Sequence, residues 1–352
     1  MKSLNQIKFF DNFSKGCQSC QRGKWLCVFL TYLCNANCAF CPSPFKNEDK
    51  IVSAFGDNPV KILESIEGKP FDAISFSGGD CLLVFDRLMA WLSYFKKNRP
   101  DVYYWAYTSG LAADESKMVK LAEAGLDEIR FNIAATNYNS PLILEKIAVS
   151  TRVFDKVAVE IPSIPADYQK VAEILPFLDR INVNYLNLHE YLLEPGDPRT
   201  RTTKTEPFLL NKRTELKYDV FSLRNTERIK KFCDSKKLRI QVNNCSLQKK
   251  ENQMLHRRLT MGKIFKKEYE HLTADGLLET YLIYPKNLEE SQIKNFLDFG
   301  DDFEQLEKYF IHPGLYGKKT FENSKGTIAK FLLLPPLSVD SKREILDVKI
   351  IK

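Results

Sequence analysis

The sequence predicts an α/β fold, a parallel barrel of βα units with a small C-terminal extension. Short runs rich in β-branched and aromatic residues alternate with longer helical patterns over the first 245 residues. A parallel sheet with crossover helices produces that alternation. Six or seven such units point to an open or closed βα barrel. From about Thr260 the rhythm fades and no further cysteine appears.

The strands expected, in order, are Leu26–Leu33, Ala73–Ser77, Tyr103–Thr108, Glu128–Ile133, Val157–Ile161, Tyr185–His189 and Arg239–Asn243. Between them Pro59–Glu67, Val84–Lys97, Glu115–Ala124 and Tyr168–Leu178 read as helices. Asp114 is placed to cap the third of these, and Gly125 to stop it. Glu194-Pro195-Gly196-Asp197-Pro198 breaks the rhythm and opens a loop-like excursion to about residue 225. Long excursions of this kind are functional lids or disordered segments. Beyond the barrel, Leu277–Tyr284 reads as a strand, and Leu288–Phe299 and Asp302–Phe310 as helices. The expected division is an N-terminal cysteine-containing segment (1–27), a core (28–259) and a C-terminal extension or small subdomain (260–352).

Composition agrees with a packed globular chain: 352 residues, 44% hydrophobic and 28% charged. No apolar run approaches the roughly 18–20 residues that span a bilayer. The first residues lack the charged-then-apolar order of a signal peptide. A soluble, cytoplasmic protein is expected, with no membrane partner. The formal charge of +7 is uneven. Residues 195–270 hold 20 Lys and Arg against 9 Asp and Glu, so the rest of the chain is slightly acidic. Such a stretch leans gently towards an acidic or phosphorylated substrate, although a basic helical face in water gives the same count.

Nine cysteines, six of them between Cys17 and Cys41, suit metal binding rather than a disulfide scaffold. Phe29-Leu30-Thr31-Tyr32-Leu33-Cys34-Asn35-Ala36-Asn37-Cys38-Ala39-Phe40-Cys41-Pro42 is a strand running straight into C-x3-C-x2-C on a loop. Three thiolates can hold three irons of a [4Fe–4S] cube, whereas full protein ligation takes four, so one iron stays open. Zinc is the competing metal, but its usual pattern is two separated C-x2-C pairs.

This motif, with an aromatic before its last cysteine, resembles that of the radical S-adenosylmethionine (SAM) superfamily. The resemblance spans about residues 15–260 and, through the Cys17-x2-Cys20 pair before the motif and Cys245-Ser246 followed by Lys249, Gln253 and Arg257 or Arg258, extends to pyruvate-formate-lyase-activating-enzyme-like proteins. It implies a partial (βα)6-type parallel barrel. It also implies that Cys34, Cys38 and Cys41 bind a [4Fe–4S] cluster whose fourth iron is chelated by the SAM amino and carboxylate groups. Ile74-Ser75-Phe76-Ser77-Gly78-Gly79-Asp80 matches the family's glycine-rich SAM motif, with Asp80 where glutamate is usual. Glycines let backbone approach a ligand closely, although Gly-Gly-Asp alone is simply a turn. Ser109, Asn132, Glu160 and His189, with Thr108 and Glu190 as neighbours, lie at the carboxyl ends of later strands, where the family holds SAM. Each could equally cap a loop.

The activity implied is that of an oxidoreductase-like enzyme in which a low-potential donor, such as flavodoxin or ferredoxin, reduces the cluster. SAM is then cleaved to a 5′-deoxyadenosyl radical, which takes hydrogen from an unidentified substrate. The alternatives are an iron–sulfur or zinc module without SAM turnover, and cleavage of another SAM C–S bond. A second metal site, iron–sulfur or zinc, is expected from Cys17, Cys20 and Cys245, with Cys27 a further candidate; free thiols are the plain alternative. Lys249, Gln253 and Arg257 follow Cys245 at helical offsets of four and could share a face towards the barrel mouth.

Overall fold

The computed structural model describes residues 13–41, 43, 47–194, 197–268, 270–284, 327–335 and 344–351. The expected helices at 288–299 and 302–310 lie outside these residues, as does Pro42. By packing, the chain divides into one unit of residues 1–210 and 214–250 and another of residues 211–213 and 251–352.

The first unit begins with a short helix, α1 (Lys15–Gln21), capped by Ser14, whose hydroxyl accepts the Cys17 N–H at 3.1 Å. The barrel follows: β1 (Trp25–Thr31), β2 (Val52–Ser53), α2 (Pro59–Ile66), β3 (Ala73–Gly78), α3 (Phe85–Asn98), β4 (Tyr103–Thr108), α4 (Glu115–Glu123), β5 (Glu128–Phe131), α5 (Pro141–Val153), β6 (Lys156–Ser163), α6 (Tyr168–Arg180) and β7 (Tyr185–Glu190). After β7 come β8 (Thr205–Leu210), β9 (Thr214–Asp219), α7 (Ser222–Ser235), β10 (Gln241–Cys245) and α8 (Leu247–Phe265). The large sheet has the order β10-β7-β6-β5-β4-β3-β1-β2, all parallel except β2, which runs against β1. Among the described residues the two end strands do not pair with each other, so the barrel is partial.

Alternation along the strands separates the two faces. Leu26, Val28 and Leu30 of β1 and Ile74 and Phe76 of β3 are fully buried on the helix-facing side. Each such side chain contributes about 2 kcal/mol by leaving water. The opposite face carries Trp25, Ser75, Trp105, Arg130, Glu160, Asn187 and Asn243, an unusually polar interior. Trp25 Nε1 donates to Ser75 Oγ at 2.8 Å and its ring stacks on Trp105 with centroids 5.7 Å apart. Helix α1 seats against these inward-facing side chains. A Cβ on Gly16 would stand 2.9 Å from Arg130 Nη2 and 3.0 Å from the Trp105 ring, so only glycine lets α1 in so far.

The strand and helix expectations hold with small shifts at the ends. Asp114 caps α4 by accepting the Lys117 N–H at 2.8 Å, and α4 ends one residue before its C-cap, Ala124, with Gly125 next. The fourth expected strand is shorter than 128–133. It ends at Phe131 because the Asn132 side chain accepts the Ala135 N–H and starts a 3₁₀ turn over Ile133–Thr136. The larger correction is the stretch 195–225, read above as a loop. It holds a 3₁₀ turn at Pro198–Arg201, the antiparallel hairpin β8–β9 and the start of α7. The hairpin turns on Asn211 and Lys212, both left-handed, in place of the usual Asn-Gly. Buried Asp197 fastens the entry to the hairpin, accepting the Tyr191 hydroxyl and two guanidinium N–H groups of Arg199 at 2.9 and 2.8 Å.

The second unit contains β11 (His271–Leu272), β12 (Leu278–Tyr284), β13 (Thr327–Leu334) and β14 (Glu344–Ile350) in an antiparallel sheet of that order. Its core is Leu278, Ala329, Phe331 and Leu333, with Leu272, Ile345 and Val348 packed against them. Arg258 of α8 is tied into this unit by Glu251 at 2.9 Å, Asn211 at 2.7 Å and the Asp275 carbonyl at 2.9 Å. Among the described residues no helix is long and apolar enough to cross a membrane.

Candidate active site

A cavity of about 500 Å³ opens at the carboxyl ends of the parallel strands, where loops leave a βα sheet and ligands can reach backbone and side chains together. Cys34, Cys38 and Cys41 line it on the loop after β1, and Ser77, Gly78 and Gly79 line it at the end of β3. Ser109, Asn132, Glu160 and His189 line it from β4 to β7. The residues singled out from sequence for the cluster and for SAM are therefore brought to one cavity, with one exception.

That exception is Asp80. Its side chain is fully buried and absent from the cavity wall. It accepts from Leu82 N at 3.1 Å, Thr108 Oγ1 at 3.0 Å, Ser109 N at 3.0 Å and Ser109 Oγ at 2.6 Å. The carboxylate thus clamps the end of β3 to the end of β4 and fixes Ser109. The correction is one of direction: Asp80 faces the protein, and Ser109 faces the cavity.

The double glycine has a steric cause. Gly79 N donates to Thr31 O and Asp80 N donates to Leu33 O, both at 2.8 Å, so this turn is zipped against the chain entering the cysteine loop. A Cβ on Gly78, whose φ is +135°, would stand 1.8 Å from Thr31 O, and one on Gly79 would stand 2.0 Å from Leu33 O. No side chain fits either place. The loop is held on its far side by Phe40, which packs against Ile164, Tyr191 and Leu193.

Burial pushes the Cys38 thiol up to about 12, helped by the nearby Cys41 and Cys34 sulfurs, and raises Cys34 as well. The Ala36 N–H points at Cys34 Sγ at 3.4 Å. Three thiols within electrostatic reach of each other, on a loop with amide donors, are the donor set a cluster needs. Among the described residues no three Cys, His, Asp or Glu side chains stand ready to take a single metal ion. A cube places each thiolate on a different iron, so its ligands need not meet at one point.

The β5–β7 side of the cavity is charged. Glu160 accepts from Arg130 Nη1 at 2.8 Å, Asn187 Nδ2 at 2.9 Å and His189 Nε2 at 2.6 Å. Burial opposes its charge, yet Arg130 and His189 hold it well below the usual carboxylate range. Burial, with Lys250 nearby, lowers His189, and its buried Nδ1 has no hydrogen-bond partner among the described residues. Arg130 also binds Glu128 at 2.7 Å and lies over the Trp105 ring, 4.5 Å from its centroid. Arg130 and Lys250 line the cavity and escaped the sequence reading. Alternation along β5 pointed to Arg130. Lys250 sits beside the expected face of Lys249, Gln253 and Arg257, none of which lines the cavity.

Cys17, Cys20 and Cys245 do not line it either. Cys17 and Cys245 meet deeper in the barrel, where Asn243 Nδ2 lies 3.5 Å from one sulfur and 3.2 Å from the other. Arg130 Nη2 is 3.5 Å from Cys17. Burial raises both thiols, and Cys20 adds to the effect at Cys245. Cys27 acts electrostatically on Tyr107 and Cys81.

Residues 28–161 match the family model described as the Radical SAM superfamily. A Methanocaldococcus jannaschii protein named "Putative glycyl-radical enzyme activating enzyme MJ0021" is 28% identical over 293 residues, 76% of this chain and 73% of that protein. Among solved structures, Streptococcus suis SuiB bound to its precursor peptide SuiA aligns with a TM-score of 0.48 at 14% identity, over 66% of this chain and 52% of SuiB. The chain thus spans about half the length of SuiB. Another structure, anSMEcpe with bound AdoMet, aligns with a TM-score of 0.44 at 13% identity, over 62% of this chain and 63% of that one. The family implies a [4Fe–4S] cluster and SAM, and the donor set described above fits both. The three-cysteine loop and the double-glycine turn both lie inside the stretch, residues 28–161, that matches the Radical SAM superfamily model.

Proposed function

We propose that Cys34, Cys38 and Cys41 hold the [4Fe–4S] cluster and that SAM lies between it and the Gly78–Gly79 turn. The single observation that carries this reading is the zip of the turn onto the cysteine loop, which sets glycine backbone beside the three thiols. A cluster held there would supply one-electron reduction of SAM, splitting it into methionine and a 5′-deoxyadenosyl radical able to take hydrogen from the substrate. Ser77, Gly78 and Gly79 offer backbone groups to the SAM amino group. Asp80 holds Ser109 in place, and Ser109 and Asn132 present polar atoms to the ribose and carboxylate. Glu160 has one acceptor position left after its three donors, enough for a ribose hydroxyl, and His189 fixes it. Aromatic Phe29, Tyr32 and Tyr107 in the wall keep water from the reacting atoms.

The relative named as an activating enzyme favours a protein substrate, and the chemistry calls for a low-potential donor of the flavodoxin or ferredoxin type. Incubating anaerobically reconstituted protein with SAM and dithionite tests the reading. 5′-Deoxyadenosine and methionine should form in equal amounts, and Cys38→Ala should form neither. Methylthioadenosine as the product would favour the other C–S bond; no cleavage at all would favour a binding module.

We also propose a second metal site at Cys17, Cys20 and Cys245. The support is Asn243, whose amide Nδ2 lies 3.5 Å from Cys17 Sγ and 3.2 Å from Cys245 Sγ, and whose buried Oδ1 has no hydrogen-bond partner among the described residues. Iron, zinc and sulfide analysis tests it. Metal beyond about four irons per chain that disappears in Cys17→Ala is expected; an unchanged metal content in that variant removes the second site.

A further inference from the structure

One charged side chain in the cavity wall has no hydrogen-bond or ion-pair partner among the described residues: Lys250. The other charged groups there are engaged. Arg130 is paired with Glu128 and Glu160. Glu160 has its three donors. Glu190 accepts the Leu247 N–H at 2.5 Å, which also satisfies the start of α8. The open group is therefore the lysine ammonium, not the helix end.

We propose that Lys250 receives an anionic group of the substrate, a carboxylate or a phosphate. This rests on the cavity being the SAM pocket. Lys250 follows β10 in the first turns of α8, and its charge acts on His189 of β7 and Cys245 of β10. The glycine turn ends β3, four strand steps from β7 in the sheet order. That separation is about 19 Å along the sheet surface. The cavity thus has an uncharged edge at Ser77, Gly78, Gly79 and Ser109 and a charged edge at Glu160, His189 and Lys250. An anion brought there meets an ammonium that no described carboxylate or carbonyl engages, so a charge-assisted hydrogen bond can form. A substrate whose anionic group binds Lys250 lies across the cavity, with its reacting carbon between the two edges.

The anion of SAM itself is the competing occupant, so the test separates them. SAM, inorganic phosphate and succinate are titrated by calorimetry into the reconstituted full chain, as wild type, Lys250→Gln and Lys250→Arg. SAM should bind all three proteins within about twofold. With SAM present, wild type should bind phosphate or succinate, and the one that binds identifies the anion. Lys250→Gln should weaken that binding about tenfold or more, and Lys250→Arg should keep it within about threefold. Loss of SAM affinity in Lys250→Gln with the probe unaffected would hand the lysine to the SAM carboxylate and overturn the inference. So would a wild type that binds SAM but neither probe. A wild type that fails to bind SAM would remove the proposed function, and this inference with it.

Discussion

Replacing Gly79 by alanine puts the zip between the SAM-side turn and the cysteine loop under direct load. The new Cβ would stand 2.0 Å from Leu33 O and 2.7 Å from Tyr32 O. An ordinary C···O contact is about 3.3 Å, so the two backbones must separate by roughly 1.3 Å. The hydrogen bonds from Gly79 N to Thr31 O and from Asp80 N to Leu33 O are both 2.8 Å and neither survives that separation. Two lost bonds at about 1 kcal/mol each, with overpacking strain of about 1–3 kcal/mol, give a destabilisation of about 3–5 kcal/mol. For a unit of this size that lowers Tm by roughly 6–20 °C. Such a displacement beside a bound ligand also weakens its binding. Gly56→Ala is the control: its Cβ meets nothing within 4 Å, and only its left-handed φ, +98°, opposes a side chain. It should cost only about 1 kcal/mol. Thermal melting by circular dichroism and SAM titration by calorimetry read both effects. If Gly79→Ala melts no lower than Gly56→Ala and binds SAM like wild type, the zip does not organise the site.

Three further perturbations follow from the interior network. Arg130→Met leaves Glu128 and Glu160 buried without their cation and should cost about 3–5 kcal/mol, read as a lower midpoint in urea. Stability should also depend on pH with a defined sign. His189 is lowered from 6.5, so the unfolded chain takes its proton first; the contribution is complete above 6.5 and fades as pH falls through it. Glu160 is lowered from 4.5, and its contribution is lost below that value. In His189→Gln the upper step should vanish from a plot of Tm against pH while the lower one remains; persistence of both would contradict the assignment. Finally, Cys34 and Cys38 are raised by burial, so cluster assembly must expel their protons. Iron loading should release about three protons per cluster, measurable with a pH-indicator dye, and Cys38→Ala should release fewer.

Much of the site was legible because its chemistry is local in sequence. Cys34, Cys38 and Cys41 lie within eight consecutive residues, and Gly78-Gly79 stands at the end of a strand, so spacing alone exposes both. The barrel was legible for a related reason, since each βα unit repeats the same change of period. What stayed hidden depends on closure in three dimensions. Nothing within Asp80's own neighbourhood says that its carboxylate turns to Thr108 and Ser109 rather than to a ligand; that depends on how β3 and β4 end side by side. The hairpin β8–β9 was masked by Pro207 within one strand and by the exposure of most of its residues, although Leu216 and Tyr218 alternate with Glu215 and Lys217 in the other. Lys250 was missed because the offset of four picked a face through Lys249, and one residue on a helix is a rotation of about 100°. The burial of α1 against Trp105 and Arg130 has no sequence mark beyond Gly16.

The most direct test of the account is electron paramagnetic resonance of the dithionite-reduced chain before and after SAM is added. A [4Fe–4S] signal that changes shape on addition of SAM in wild type, is unmoved in Gly79→Ala and is absent in Cys38→Ala is the predicted result. A wild-type signal that SAM leaves unchanged would contradict an open iron shared with SAM beside the glycine turn.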